Sequence, residues 1–142
     1  MSTAIISTLF IVLLAPCIAH FAWALGFTWP IRNEKLLAQT VVGTAGIERM
    51  PPRLASFAVA LALTAAIVVA VAMGTPESGG QFLTLTGFGF ALVFLARGAV
   101  TYTPWWAAQT PEPNFRLNDR RVYGPLCLLI GAGFLALAFM RF

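Results

Sequence analysis

Charge is what this sequence has least of. Only 10% of its 142 residues are Asp, Glu, Lys or Arg, and 59% are apolar. In an ordinary soluble domain about a quarter of the residues are charged. The stretches 1–31, 54–76, 78–96 and 122–140 contain no charged residue at all, apart from whatever charge His20 carries. None of them holds an Asp or Glu, which argues against a proton- or cation-coupled carrier of the usual kind. Cysteine is nearly as scarce: Cys17 and Cys127 both lie in uncharged stretches, and there is no C-x-x-C. That excludes a dithiol redox motif and a zinc ribbon, and it marks both thiols as buried apolar groups. A single histidine leaves no His pair for a haem, and neither a hydrolase triad nor a phosphate loop is present. The net charge of +4 is no nucleic-acid signal either, because no basic-aromatic patch exists outside the polar loops. A metal site from Cys17 and His20 at i, i+3, with Cys127 as third ligand, would suit zinc or copper. It lacks a fourth ligand, and such a spacing arises easily by chance. No metal is assigned and no cofactor is named by the residues.

What is present is four long apolar runs. A helix of about 20 residues crosses roughly 30 Å of hydrocarbon. The runs predict spans at about 4–25, 54–73, 81–102 and 122–140. The expected fold is all-α, an integral four-transmembrane-helix bundle in one membrane domain covering 1–142. The first run reads as an uncleaved span: Met1-Ser2-Thr3 carries no Lys or Arg, and the run is longer than a signal-peptide h-region. Leu14-Ala15-Pro16-Cys17 resembles a lipoprotein site only loosely, with Pro16 where a small residue is expected.

Local patterns suggest how the spans pack. Pro16 lies inside the first helix and removes a backbone hydrogen bond. Ala58, Ala62, Ala66 and Ala70 form a small-residue repeat that permits close helix approach. In the third span Phe82, Phe88, Phe90 and Phe94 alternate with Gly87, Gly89 and Ala91, reading as knobs beside holes. Gly131, Gly133 and Ala136 smooth the fourth span, and Pro125 falls in its expected first turn, where a missing N–H matters little. Between the spans, 35–42 is mildly apolar without a clean period. The segment 103–121 holds three prolines, which bar a continuous helix, and the pair Trp105-Trp106, which suits the membrane interface.

The few charges are lopsided. Of nine basic residues, Arg32, Lys35, Arg49, Arg53, Arg97, Arg116, Arg120 and Arg121 fall at one end of the spans and only Arg141 at the other. Lys and Arg are retained on the cytoplasmic side and meet anionic headgroups there. The expected location is the cytoplasmic (inner) membrane, multi-pass, with loops 26–53 and 103–121 cytoplasmic and both termini outside.

Ionisable groups within spans are expensive and need a reason. Here there are two, His20 and Arg97. At about 1.5 Å per residue, His20 lies roughly 9 Å inside Gly26 and Arg97 roughly 7–8 Å inside Tyr102, both from the basic end. Tyr123 enters from that end on the fourth span, just after Asp119 and Arg121. Together with Trp23, these residues are the candidate binding site. Each has a plainer role. Arg97 either snorkels to the headgroups or pairs with Asp119. Asp119 alternatively caps the fourth helix. His20 hydrogen-bonds a neighbouring carbonyl, such as one freed by Pro16, and Trp23 anchors the interface.

The run from Phe115 to Leu128, with Asp119, Arg121, Tyr123, Pro125, Leu126 and Cys127 in the pattern D-x-R-x-Y-x-P-L-C, resembles the signature of a bacterial family of small four-span membrane proteins of unknown function. His20, Trp23 and Gly26 match its H-x-x-W-x-x-G pattern, and Arg97 matches an arginine near the end of its third span. The segment 102–109, with its paired tryptophans, departs from the family's glycine-containing one. The resemblance implies a fold and a location and no activity.

Two functional readings follow. One is a non-enzymatic membrane component, either an accessory subunit of a larger complex or a lipid- or cofactor-binding bundle, with the lipid bilayer and self-association among its contacts. The other is an intramembrane enzyme acting on a lipophilic substrate, with His20 as acid–base, Arg97 holding a polar head and Asp119 orienting one of them. That reading requires the three side chains to converge within one hydrogen-bonded relay. Transport of a small solute is disfavoured by the apolar midplane.

Overall fold

A computed structural model describes residues 1–142. The chain is helical throughout, without a strand: α1 (Ser2–Ala24), α2 (Glu34–Val41), α3 (Arg53–Ala72), α4 (Gly80–Val100), α5 (Pro104–Gln109), α6 (Pro113–Asn118) and α7 (Gly124–Phe139). A single π-helical turn, Asp119–Tyr123, joins α6 to α7 without a break, giving four helices long and apolar enough to cross a membrane.

Three of the expected spans match α1, α3 and α4 within about two residues, and the fourth is corrected. Its helix starts at Pro113, so Asp119, Arg120 and Arg121 lie on it. The expectation that no acidic residue sits on a spanning helix therefore fails at Asp119. The segment 103–121 is not one continuous helix, as its prolines predict: it breaks at 110–112, where Pro111 lies, and the other two prolines each begin a helix. Pro104 opens α5 behind a Thr103 cap and Pro113 opens α6, at positions where no N–H is needed. Pro125 sits well inside the long helix rather than in a first turn. An interior proline would collide with the carbonyl four residues back. The π turn just before it widens the helix, and Gly124 N–H donates to the Asp119 carbonyl five residues back.

The long helices pair antiparallel. α1 packs on α3, with Ile6 near Gly74 and Gly26 near Arg53 at opposite ends. Between those ends, the Cys17 thiol lies 3.4 Å from Thr64 Oγ1 and donates to the Ala60 carbonyl at 3.7 Å. α4 packs on α7 through small residues. A Cβ added at Gly98 would fall 2.9 Å from the Gly124 carbonyl oxygen, so backbone meets backbone there. The two pairs join where Leu9, Leu13, Ala66, Ala70, Ile130 and Phe134 form one buried core. Phe90 and Phe94 stack on Phe134 with ring centroids 5.3 and 6.3 Å away. Phe82 instead lies 79% exposed and is no knob.

The alanine repeat of α3 is only half right. Ala66 and Ala70 are buried, Ala58 and Ala62 are exposed, and Ser56 and Ala60 take their place. A four-residue repeat drifts around a helix of 3.6 residues per turn, so one face cannot hold all four alanines.

At the end opposite the loops that hold most of the basic residues, Arg141 is held by the α3–α4 turn. Its guanidinium donates to the carbonyls of Met73, Thr75, Ser78 and Gly80, and to Thr84 Oγ1. The one basic residue on that side thus serves as a staple.

Candidate functional site

The polar cluster is built where α4 ends. Arg97 lies one turn before Thr101, and its Nη1 donates to Thr101 Oγ1 at 2.9 Å. The π turn carries Asp119 to the same place, and Arg97 Nη2 donates to Asp119 Oδ1 at 2.8 Å. Arg97 therefore pairs with Asp119 rather than simply snorkelling to the headgroups. Asp119 is 1% exposed and stands inside a continuous helix, so it does not cap the fourth helix. Its second oxygen accepts the Trp106 indole N–H at 2.8 Å, and the Arg97 guanidinium carbon lies 4.9 Å from the Trp106 ring centre. A buried carboxylate is tolerable only when paired and hydrogen-bonded. Here both oxygens have donors.

Trp106 and Thr101 were not among the residues singled out from sequence. The sequence pairs Trp106 with Trp105 as interface anchors, a role that fits Trp105, which is 63% exposed. The available signal was Thr103-Pro104, a cap followed by a first-position proline, which starts α5 and gives the two indoles different surroundings.

Tyr123, at the far end of the π turn, does something else. Its hydroxyl donates to the Thr40 carbonyl of α2 at 3.2 Å. α2 is a short amphipathic helix capped by Asn33, whose side chain accepts from Leu36 N–H, and its Leu37 and Ala38 are fully buried. Just beyond it, Gly43 has a φ of +77° and so close an approach to the Phe115 ring that any Cβ would overlap it. Glu112 N–H donates to the Gly43 carbonyl at 3.2 Å. α2 is thereby pinned to α6 and the π turn. Arg121 is exposed and makes no side-chain hydrogen bond or ion pair.

His20 stands apart from this cluster. Its Nδ1 lies 2.7 Å from the Pro16 carbonyl oxygen, which can only accept, so Nδ1 carries the proton. The bond is to Pro16's own carbonyl, not to one that the proline frees four residues earlier. The ring packs edge-on to Trp23 at 4.7 Å, and the Trp23 indole N–H donates to the Trp29 carbonyl. No hydrogen-bonded relay links His20 to Arg97 or Asp119. Cys17 faces α3, and no three His, Cys, Asp or Glu side chains are gathered to hold a metal.

His20 and Trp23 do line a cleft of about 120 Å³. α1 and α3 form its sides, and Val41 and Val42 close it from the end of α2. A second, more polar hollow of about 300 Å³ shares Trp23, Met50 and Pro51 with it and is bordered by Thr28, Glu34 and Arg53. The residues expected to form one site are thus divided. Arg97 and Asp119 pair between α4 and the π turn, Tyr123 reaches from that turn to α2, and His20 and Trp23 line the cleft that Val41 and Val42 close. α2 connects the two.

A family model described as "Protein of unknown function (DUF3995)" matches residues 12–134. No curated protein and no solved structure matches the chain.

Proposed function

The chain belongs to this family of unknown function, and we propose that it is a non-enzymatic component of the cytoplasmic membrane, an accessory subunit or a lipid-binding helical unit. One observation carries this: the ion pair on its spans is bonded to its own neighbours, with a donor on each oxygen of the buried Asp119. Asp119 is taken up by Arg97 and Trp106, and Arg97 is additionally held by Thr101. A catalytic carboxylate needs an open side, which the buried and twice-bonded Asp119 lacks, and the pair works instead as a fastening between α4, α5 and the π turn. The enzyme reading required His20 to join that pair, and the two hydrogen-bond sets are separate.

The basic loops face the cytoplasm in this proposal, with both termini outside. On the opposite side Arg141 is the one basic residue, its guanidinium held by backbone carbonyls. Gentle detergent extraction followed by native mass measurement tests the role. The expected result is a chain carrying a partner subunit or a bound lipid. A chain that always emerges alone and bare contradicts it.

A further inference from the structure

We infer that the cleft between α1 and α3 is a binding site for a neutral lipophile whose polar end is a hydroxyl, with Ser56 and His20 as its two recognition groups. This deepens the lipid-binding form of the role proposed above and rests on it for treating the cleft as a place of binding rather than reaction.

The first observation is Ser56. It is only 6% exposed, near the start of α3, and its hydroxyl makes no hydrogen bond. The other buried hydroxyls in this chain do not behave so. Those of Thr84, Thr101 and Thr110 each donate to the carbonyl four residues back, the ordinary way of satisfying such a group. No fully enclosed side-chain polar atom lacks a partner anywhere in the chain. Ser56 Oγ therefore opens onto accessible space, and the space it lines is the cleft. An unpaired hydroxyl lining a mostly apolar cleft is a position where a ligand's hydrogen bond can be made.

The second observation is His20, which lines the same cleft. Because Nδ1 carries its proton toward the Pro16 carbonyl, a neutral ring keeps Nε2 as a lone-pair acceptor. Nothing in the protein donates to it. Ser56 does not reach it, so the two groups remain available together. In the proposed complex the ligand's hydroxyl accepts from Ser56 Oγ–H and donates to His20 Nε2.

The walls fix the remaining chemistry. Val41, Val42, Ala55 and Val59 are apolar, and the cleft holds no cation. Arg53 and Glu34 stand together at the outer hollow, so that mouth offers both signs of charge and favours neither. The ligand is accordingly uncharged, with an apolar body.

Decanol, decane and decanoate serve as probes, added to the full chain in nanodiscs of zwitterionic lipid. The chain has one histidine, so labelling histidine with nitrogen isotope gives one imidazole, read by NMR at mildly alkaline pH. Decanol is expected to move the Nε2 resonance toward its hydrogen-bonded position, and decane to leave it unmoved. Ser56→Ala is expected to weaken decanol binding about five- to tenfold, the worth of one hydrogen bond. The wild-type resonance alone tests the site should that variant fold poorly. Equal responses to decanol and decane overturn the inference. So does tighter binding of decanoate that is lost in Arg53→Gln, which would make the ligand anionic and the outer hollow its site. Decanol recovered chemically changed would support the site and contradict the non-enzymatic role; decanol that never binds would overturn the site and leave that role standing.

Discussion

The Tyr123 hydroxyl and the Thr40 carbonyl meet at 3.2 Å across 83 residues of sequence. This bond joins the two regions in which the polar side chains are divided. Behind Tyr123 stands the π turn that Asp119 fastens to Arg97 and Trp106. Beyond Thr40 lie Val41 and Val42, which close the His20 cleft. The π turn thus touches the helix whose end closes the cleft.

Tyr123→Phe removes that bond and leaves the ring against Phe115. Stability is expected to fall by about 1 kcal/mol. Hydrogen exchange is expected to rise in 34–42 and stay unchanged through the middle of α4 and α7. Uniform loosening of all the helices would show that Tyr123 does not act through α2.

The paired tryptophans are expected to separate on substitution. Trp106→Phe keeps an aromatic ring beside Arg97 but strips the N–H from Asp119 Oδ2, for a loss of about 1.5–3 kcal/mol, as for hydrogen bonds to charged groups. Trp105→Phe, at an exposed position, is expected to stay within about 0.5 kcal/mol of the parent. Thermal unfolding of both variants in the same micelles checks this, and equal losses would contradict the roles given to them.

Glycines on α4 offer a packing test. Gly98→Ala places a methyl 2.9 Å from the Gly124 carbonyl and against Leu128, so α4 and α7 must separate, at about 1–3 kcal/mol. At Gly89 an added Cβ meets nothing within 4 Å, and Gly89→Ala is expected to be neutral or slightly stabilising. Melting curves that rank the two in the other order would refute the close approach of α4 and α7.

Orientation is open to a labelling experiment. Glu77 and Arg120 are both exposed, at opposite ends of the spans. In a chain with Cys17 and Cys127 replaced by Ala, Glu77→Cys is expected to react with an impermeant thiol reagent on intact cells. Arg120→Cys is expected to react only after permeabilisation. The reverse pattern would invert the proposed topology.

The long helices were legible because an apolar run of membrane length has few alternative explanations. The termini of α1, α3 and α4 followed from Gly26, Pro52 and the glycines before Gln81. The start of the fourth helix was hidden, since Pro113 reads as a breaker and Pro125 as a first-turn proline when each is taken singly. One is a first-position proline, and the other is accommodated by a π turn whose i to i+5 bonding leaves no sequence period. α2 escaped firm assignment because eight residues hold little more than two turns of pattern. The Arg97–Asp119 pairing was visible as one of two options. Trp106 was not, because an indole N–H finding a carboxylate depends on how α5 lies against the π turn. Ser56 drew no notice, since an unpartnered hydroxyl is defined only by what fails to reach it.

The account turns on Arg97 and Asp119 being a fastening. A double-mutant cycle measures this directly, with Arg97→Met, Asp119→Leu and the pair together unfolded reversibly in mixed micelles. Removing one partner of a buried pair strands the other, typically at about 3–5 kcal/mol, and the one-third exposure of Arg97 puts these losses at the lower end, about 3 kcal/mol. The predicted result is a double variant at least about 1 kcal/mol more stable than the sum of the single losses implies, with exchange in 34–42 raised in every variant. Strictly additive losses, or a helix α2 indifferent to all three changes, would contradict the account.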